Sequence, residues 1–145
     1  MNRGVLVFLI AGCGIVSILA MSWPSGNTSP ADTASHESKA TIEGLVRDIA
    51  CPIQNLEAKA TAFNLQCVLE CARHGSPLVI QTSEGELYIP ISDSMPDAGQ
   101  REKLMPFVGK YVRASGTVFE RKGTRAIVIK EIDEVKTVRL TTDAK

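Results

Sequence analysis

The sequence predicts a mainly β fold, a five-stranded Greek-key barrel carrying a helical insertion that contains cysteines. Three observations predict it. Five β-rich runs follow one another between Thr41 and Ile132, turn residues separate them, and two short helical patterns fall at fixed places among them. About a hundred residues, 41–139, are enough for one small core. The whole chain of 145 residues is too short for a large multidomain enzyme. Its 44% hydrophobic and 22% charged residues are those of a globular protein rather than a disordered one.

The first strand is read from Thr41 to Ile49 and ends at Cys51-Pro52, because a proline cannot donate to the next rung of a ladder. A helix follows over Leu65 to His74, with Asn64 as N-cap, Gly75 as its stop and Pro77 just beyond. Leu78 to Thr82 and Glu86 to Pro90 are strands joined by Ser83-Glu84-Gly85. The second helix is expected to start near Asp97, where Asp97 to Gln100 has the spacing of a capping box, and to end before Pro106. In Lys110 to Glu120, Val112, Ala114, Gly116 and Val118 alternate with Arg113, Ser115 and Thr117, the mark of a half-buried strand. Gly116 then falls mid-strand, where a small barrel needs a bend or bulge. Arg121-Lys122-Gly123 turns the chain into the last strand, Thr124 to Ile132. Strand, insertion, strand, strand, helix, strand, strand is the order of the OB-fold barrel.

Ahead of the domain, Met1-Asn2-Arg3 precedes an uncharged apolar run from Gly4 to Met21. This is the pattern of an export signal, with the single Arg holding the N-terminus in the cytoplasm and the rest sent across. Residues 1–21 are accordingly expected to be a signal peptide cleaved near Ala20-Met21-Ser22, or a retained membrane anchor with Trp23 at the interface. Ile10 to Cys13 also resembles a lipobox, with Cys13 as the lipidated residue, although the apolar run continues past it. Residues 22–40 are rich in Ser, Thr, Pro and Ala and read as a flexible tether, with His36 a solvated residue within it. Residues 140–145 read as a C-terminal tail. The domain is therefore expected outside the cytoplasm, periplasmic or secreted.

The segments "LMPFVGKYVRASGTVFE" and "RAIVIKEI" resemble the second half of small exported bacterial OB-like domains. With "GLVRDIAC", "CVLEC" and the glycine that follows, the chain is similar to an uncharacterised family of such domains, in which a cysteine follows the first strand and a C-x-x-x-C pair precedes the second. The similarity spans about Ile42 to Ile132, and it implies the fold and an exported address without implying an activity.

Three of the four cysteines, Cys51, Cys67 and Cys71, crowd into the stretch between the first two strands. Cys67, Cys71 and His74 are spaced to project from one side of their helix. Thiolates and imidazole are ligands for zinc or copper, so Cys51, Cys67, Cys71 and His74 form a candidate metal site. Geometry restrains it, because Cys67 and His74 are separated by roughly 10.5 Å along an ideal helix axis, so both reach one ion only if the last turn unwinds. Cys51, Cys67 and Cys71 are the easier trio, with His74, Asp48 or solvent in the fourth place. Two other readings stand beside it. A disulfide of Cys51 with Cys67 or Cys71 would staple the insertion to the barrel, as suits an interaction module with a protein partner at the membrane. A Cys67–Cys71 pair in thiol redox chemistry is the third, with Cys67 near the helix N-terminus.

Other chemistries find little support. No phosphate loop or dinucleotide fingerprint is present, no G-x-S-x-G accompanies a serine, and no catalytic residue is assigned. Asp93 and Asp97 read as turn and cap residues. Sixteen basic residues balance sixteen acidic ones, and Tyr88 is the lone aromatic on the strands that OB barrels use for stacking, so nucleic acid is not an expected partner. Charge is nevertheless uneven, with 5 basic and 10 acidic residues up to position 100 and 11 and 6 after it. Arg121, Lys122 and Arg125 at the last hairpin read as a solvated charged turn.

Overall fold

The computed structural model describes residues 36–143. The export signal or anchor, Cys13 and the start of the tether lie outside the described residues. The elements run β1 (His36–Asp48), α1 (Ala50–Gln54), α2 (Leu65–Arg73), β2 (Leu78–Gln81), β3 (Leu87–Pro90), α3 (Arg101–Leu104) with a 3₁₀ turn over Met105–Phe107, β4 (Tyr111–Arg121) and β5 (Thr124–Glu134). The strands close into a barrel in the order β1-β2-β3-β5-β4. The β3–β5 pair is parallel and the other four are antiparallel. This is the five-stranded OB-like barrel expected from the order of segments.

β1 serves both edges of the closure. Its residues His36 to Leu45 pair with β4, and Leu45 to Asp48 pair with β2. Register and the period of two put Ile42, Gly44, Val46 and Asp48 on the same side as Val112 and Ala114. Val46, Ile80, Val112, Ala114, Ile127 and Ile129 are all buried in one apolar core, together with Leu104 of α3. Two glycines make the tight closure possible. A Cβ on Gly116 would stand 2.0 Å from the Val128 carbonyl oxygen, and one on Gly44 would stand 2.3 Å from that of Gln81. The β4–β5 register shifts between Ser115 and Gly116, which is the mid-strand irregularity the alternation calls for.

Several boundaries differ from expectation, and the larger differences have physical reasons. β1 starts at His36, inside the stretch read as tether, because His36 to Ala40 pair with Gly116 to Glu120 through backbone alone and keep their polar side chains largely exposed. A hydrophobic period cannot report such a ladder. After Asp48 the chain forms α1 rather than a loop. Pro52 lies in its first turn, where no N–H is required, and the Asp48 carboxylate accepts the Cys51 N–H at 2.9 Å. α3 starts at Arg101, not near Asp97, because the Asp97 carboxylate closes its own loop by accepting from the Ser92 N–H, the Ser92 hydroxyl and the Gly99 N–H. Pro106 lies within the 3₁₀ turn that follows rather than beyond the helix. Finally, the expected C-terminal tail is tied down. Thr141 and Asp143 bridge to Ala62 and Asn64, with the Phe63 N–H donating to Thr141 and the Leu65 N–H to Thr142.

At the last hairpin Arg121 and Lys122 are exposed as expected, but Arg125 is ion-paired rather than solvated. Arg125 pairs with Glu86 at 3.0 Å and with Glu120 at 3.5 Å.

Candidate dithiol site

The end of β1 and the first turns of α1 and α2 meet at one end of the insertion. α2 faces the barrel with Val68 and Ala72 fully buried and Leu65 and Leu69 packed against the same core. Both of its ends are fastened. At the N-terminus, Asn64 accepts the Cys67 N–H on Oδ1 at 2.8 Å, the cap expected from the sequence, and the C-terminal strap takes the Leu65 N–H. At the C-terminus, the Arg101 guanidinium of α3 donates to the carbonyl oxygens of Ala72 and Ser76, placing a cation where the helix dipole is negative. Gly75, at φ 88°, then takes the left-handed conformation that ends the helix.

Cys67 is the third residue of α2 and Cys51 the second of α1. Their sulfurs lie 3.8 Å apart, with both thiols free. Cys51 is half-buried and Cys67 exposed, so the pair opens to solvent through the Cys67 side. Burial pushes the Cys51 thiol above the ordinary thiol range; the negative charge of Asp48 and the contact with Cys67 push it further, and Arg47 pulls against them.

Of the four residues expected to ligate a metal, the fold brings Cys51 and Cys67 together. Cys71 is half-buried one turn further along α2, and a turn is about 5.4 Å. The last turn of α2 does not unwind, because the His74 N–H still donates to the Glu70 carbonyl at 2.9 Å. His74 stays a further turn away with its side chain 83% exposed, and Nε2 is 3.8 Å from Glu70 Oε2. Asp48, named for the fourth place, is fully buried and spends Oδ1 on the Cys51 amide. Among the described residues, no group of three or more His, Cys, Asp or Glu side chains is gathered as a metal cage. His36 is exposed on β1.

Two residues beneath the site were not singled out from the sequence. Arg47 is 3% exposed and donates from Nη1 to Gln81 Oε1 at 3.1 Å; Gln81, 2% exposed, donates in turn to the Ala58 carbonyl at 2.8 Å. That chain of bonds ties the 55–64 loop to the barrel wall. For Arg47, the Arg-Asp pair in an otherwise apolar strand end, two residues before Cys51-Pro52, was the available signal.

No family model matches the chain, and neither a curated protein nor a solved structure does, so what the site can do rests on its own geometry.

Proposed function

We propose that this is an extracytoplasmic, noncatalytic OB-like domain that binds a thiophilic transition metal, zinc or copper, with Cys51 and Cys67 as the anchoring pair. The observation that carries the reading is the 3.8 Å sulfur separation. A tetrahedral ion with metal–sulfur bonds of about 2.3 Å sets neighbouring sulfurs roughly 3.8 Å apart, the spacing that this pair has. Two protein ligands leave two positions of a tetrahedron to solvent or to another molecule. Structural zinc sites close all four, so an open pair suits an ion taken up and passed on. The exported address rests on the apolar N-terminal run.

The test is titration of the reduced protein with cobalt(II) as a spectroscopic stand-in for zinc, followed by zinc competition. Wild type is expected to bind one ion, with thiolate-to-cobalt charge-transfer absorption corresponding to two sulfurs. C51S and C67S are each expected to lose that signal, and C71S and H74A to retain it. Absence of the absorption in wild type, or its loss in C71S, overturns this assignment.

The same contact favours a second reading, a Cys51–Cys67 disulfide that staples the insertion in an interaction module. A disulfide requires about 2.04 Å between sulfurs, roughly 1.8 Å closer than in the reduced pair. The bond would form as the two thiols give up two protons and two electrons to an oxidising disulfide of the compartment, leaving Cys71 as the odd thiol.

A further inference from the structure

Between the outer face of β1 and the 55–64 loop lies a groove whose wall includes Arg47, Asn55, Lys59, Phe63 and Asn64, with the two thiols at its rim. Its polar lining is biased towards donors. Asn55 Oδ1 accepts the Glu57 N–H and Asn64 Oδ1 the Cys67 N–H, and among the described residues no protein acceptor takes the NH₂ group of either amide. Glu57, exposed at the edge, is the one carboxylate among the lining residues.

Arg47 has an unmet need at the same place. It is 3% exposed and always cationic, yet among the described residues no carboxylate makes an ion pair with it, and Nε has no hydrogen-bond partner. The neighbouring Asp48 alternates to the other side of β1 and bonds the Cys51 amide. Gln81 is neutral and occupies Nη1 alone. A desolvated guanidinium left in this state is costly; Nε is shielded from solvent, so a carboxylate meets the guanidinium first at Nη2 and completes the fork at Nε only as the side chain shifts towards the groove.

We infer that the groove is a binding site for a small monocarboxylate with a short apolar body, its carboxylate held by Arg47 with help from Lys59 and the two amides, and its body against Phe63. A monocarboxylate fits this lining better than a phosphate dianion, because Arg47 and Lys59 against Glu57 leave a single net positive charge. Cys51 and Cys67 also line this groove, so the carboxylate assignment is separated from the metal assignment by testing it with metal removed.

The test uses the full chain, reduced and with chelator present, so that metal plays no part. Butyrate is titrated while the Arg47 Nε–H and the backbone amides are followed by NMR, with inorganic phosphate and butylamine as comparison probes. A saturable shift of the Arg47 Nε–H together with the amides of Asn55, Phe63 and Asn64 is expected for butyrate, weaker for phosphate and absent for butylamine. R47Q is expected to weaken butyrate binding by about tenfold or more, as loss of a charged bidentate contact does. An Arg47 Nε–H that does not move in wild type overturns the inference even if R47Q fails to fold. So do shifts scattered over surface lysines, or phosphate binding as tightly as butyrate.

Discussion

Cys51 and Asp48 are coupled through two distinct interactions. The carboxylate accepts the Cys51 N–H, and its charge opposes formation of the Cys51 thiolate. D48N keeps an oxygen to accept the amide and removes the charge. Its expected effect is a shift of the Cys51 alkylation profile to lower pH, towards that of an ordinary thiol, read by mass spectrometry of the labelled peptide; an unchanged profile would contradict the electrostatic account. The sign for stability follows from the same raised value. The fold favours the neutral thiol, so this contribution is complete below the unfolded thiol value of about 8.5 and is lost as pH rises through the folded one. Metal binding must displace that proton, so affinity is expected to climb with pH over the same interval. At this scale the sequence singled out the cysteines, because they cluster visibly, and the fold brings two of them together. It did not show that Cys67 rather than Cys71 meets Cys51, since that choice depends on the helical turn at which α1 approaches α2. Arg47 was hidden for a related reason: its burial depends on Gln81 and the 55–64 loop arriving from elsewhere in the chain.

At the level of elements, the barrel strands were legible wherever side chains alternate. Val112, Ala114, Gly116 and Val118 predicted both the face of β4 and its irregular point. G116A should expose how tightly that point is packed, because the new Cβ would press on the Val128 backbone rather than on a side chain that can turn away. A loss of about 2 to 3 kcal/mol in denaturant unfolding is expected, and a change within error would refute the close approach. Elements held by backbone bonds between polar residues were not legible. The first rungs of β1 and the strap at Thr141 to Asp143 leave no mark in a hydrophobic pattern, and α1 hides behind a proline that normally signals a stop. The strap has a function at this scale, because it fixes the N-terminus of α2 on which Cys67 sits. Ending the chain at Leu140 should accelerate hydrogen exchange at the Phe63 and Leu65 amides while leaving the β4–β5 ladder protected. Unchanged exchange at those two amides would mean that the strap does not hold the insertion.

Across the whole molecule, the strands close into one β1-β2-β3-β5-β4 barrel, and the segment between β1 and β2 holds Cys51, Cys67 and Cys71. α1 follows the end of β1 and is tied to it by the Asp48 carboxylate, while α2 buries Val68 and Ala72 in the core, so the two thiols are set by elements with separate attachments to the barrel. The order of segments was enough to foresee this topology, since few connections satisfy it. The central claim is that Cys51 and Cys67 form one unit from which Cys71 is excluded. Differential alkylation of the protein isolated anaerobically from its own compartment tests it most directly, with labelling before and after a chelator and then after a reductant. Cys71 is expected to label without treatment and Cys51 and Cys67 to be protected together, with chelator releasing both if metal holds them and reductant releasing both if a disulfide does. Protection of Cys71 with either of the others, or independent labelling of Cys51 and Cys67, would contradict it.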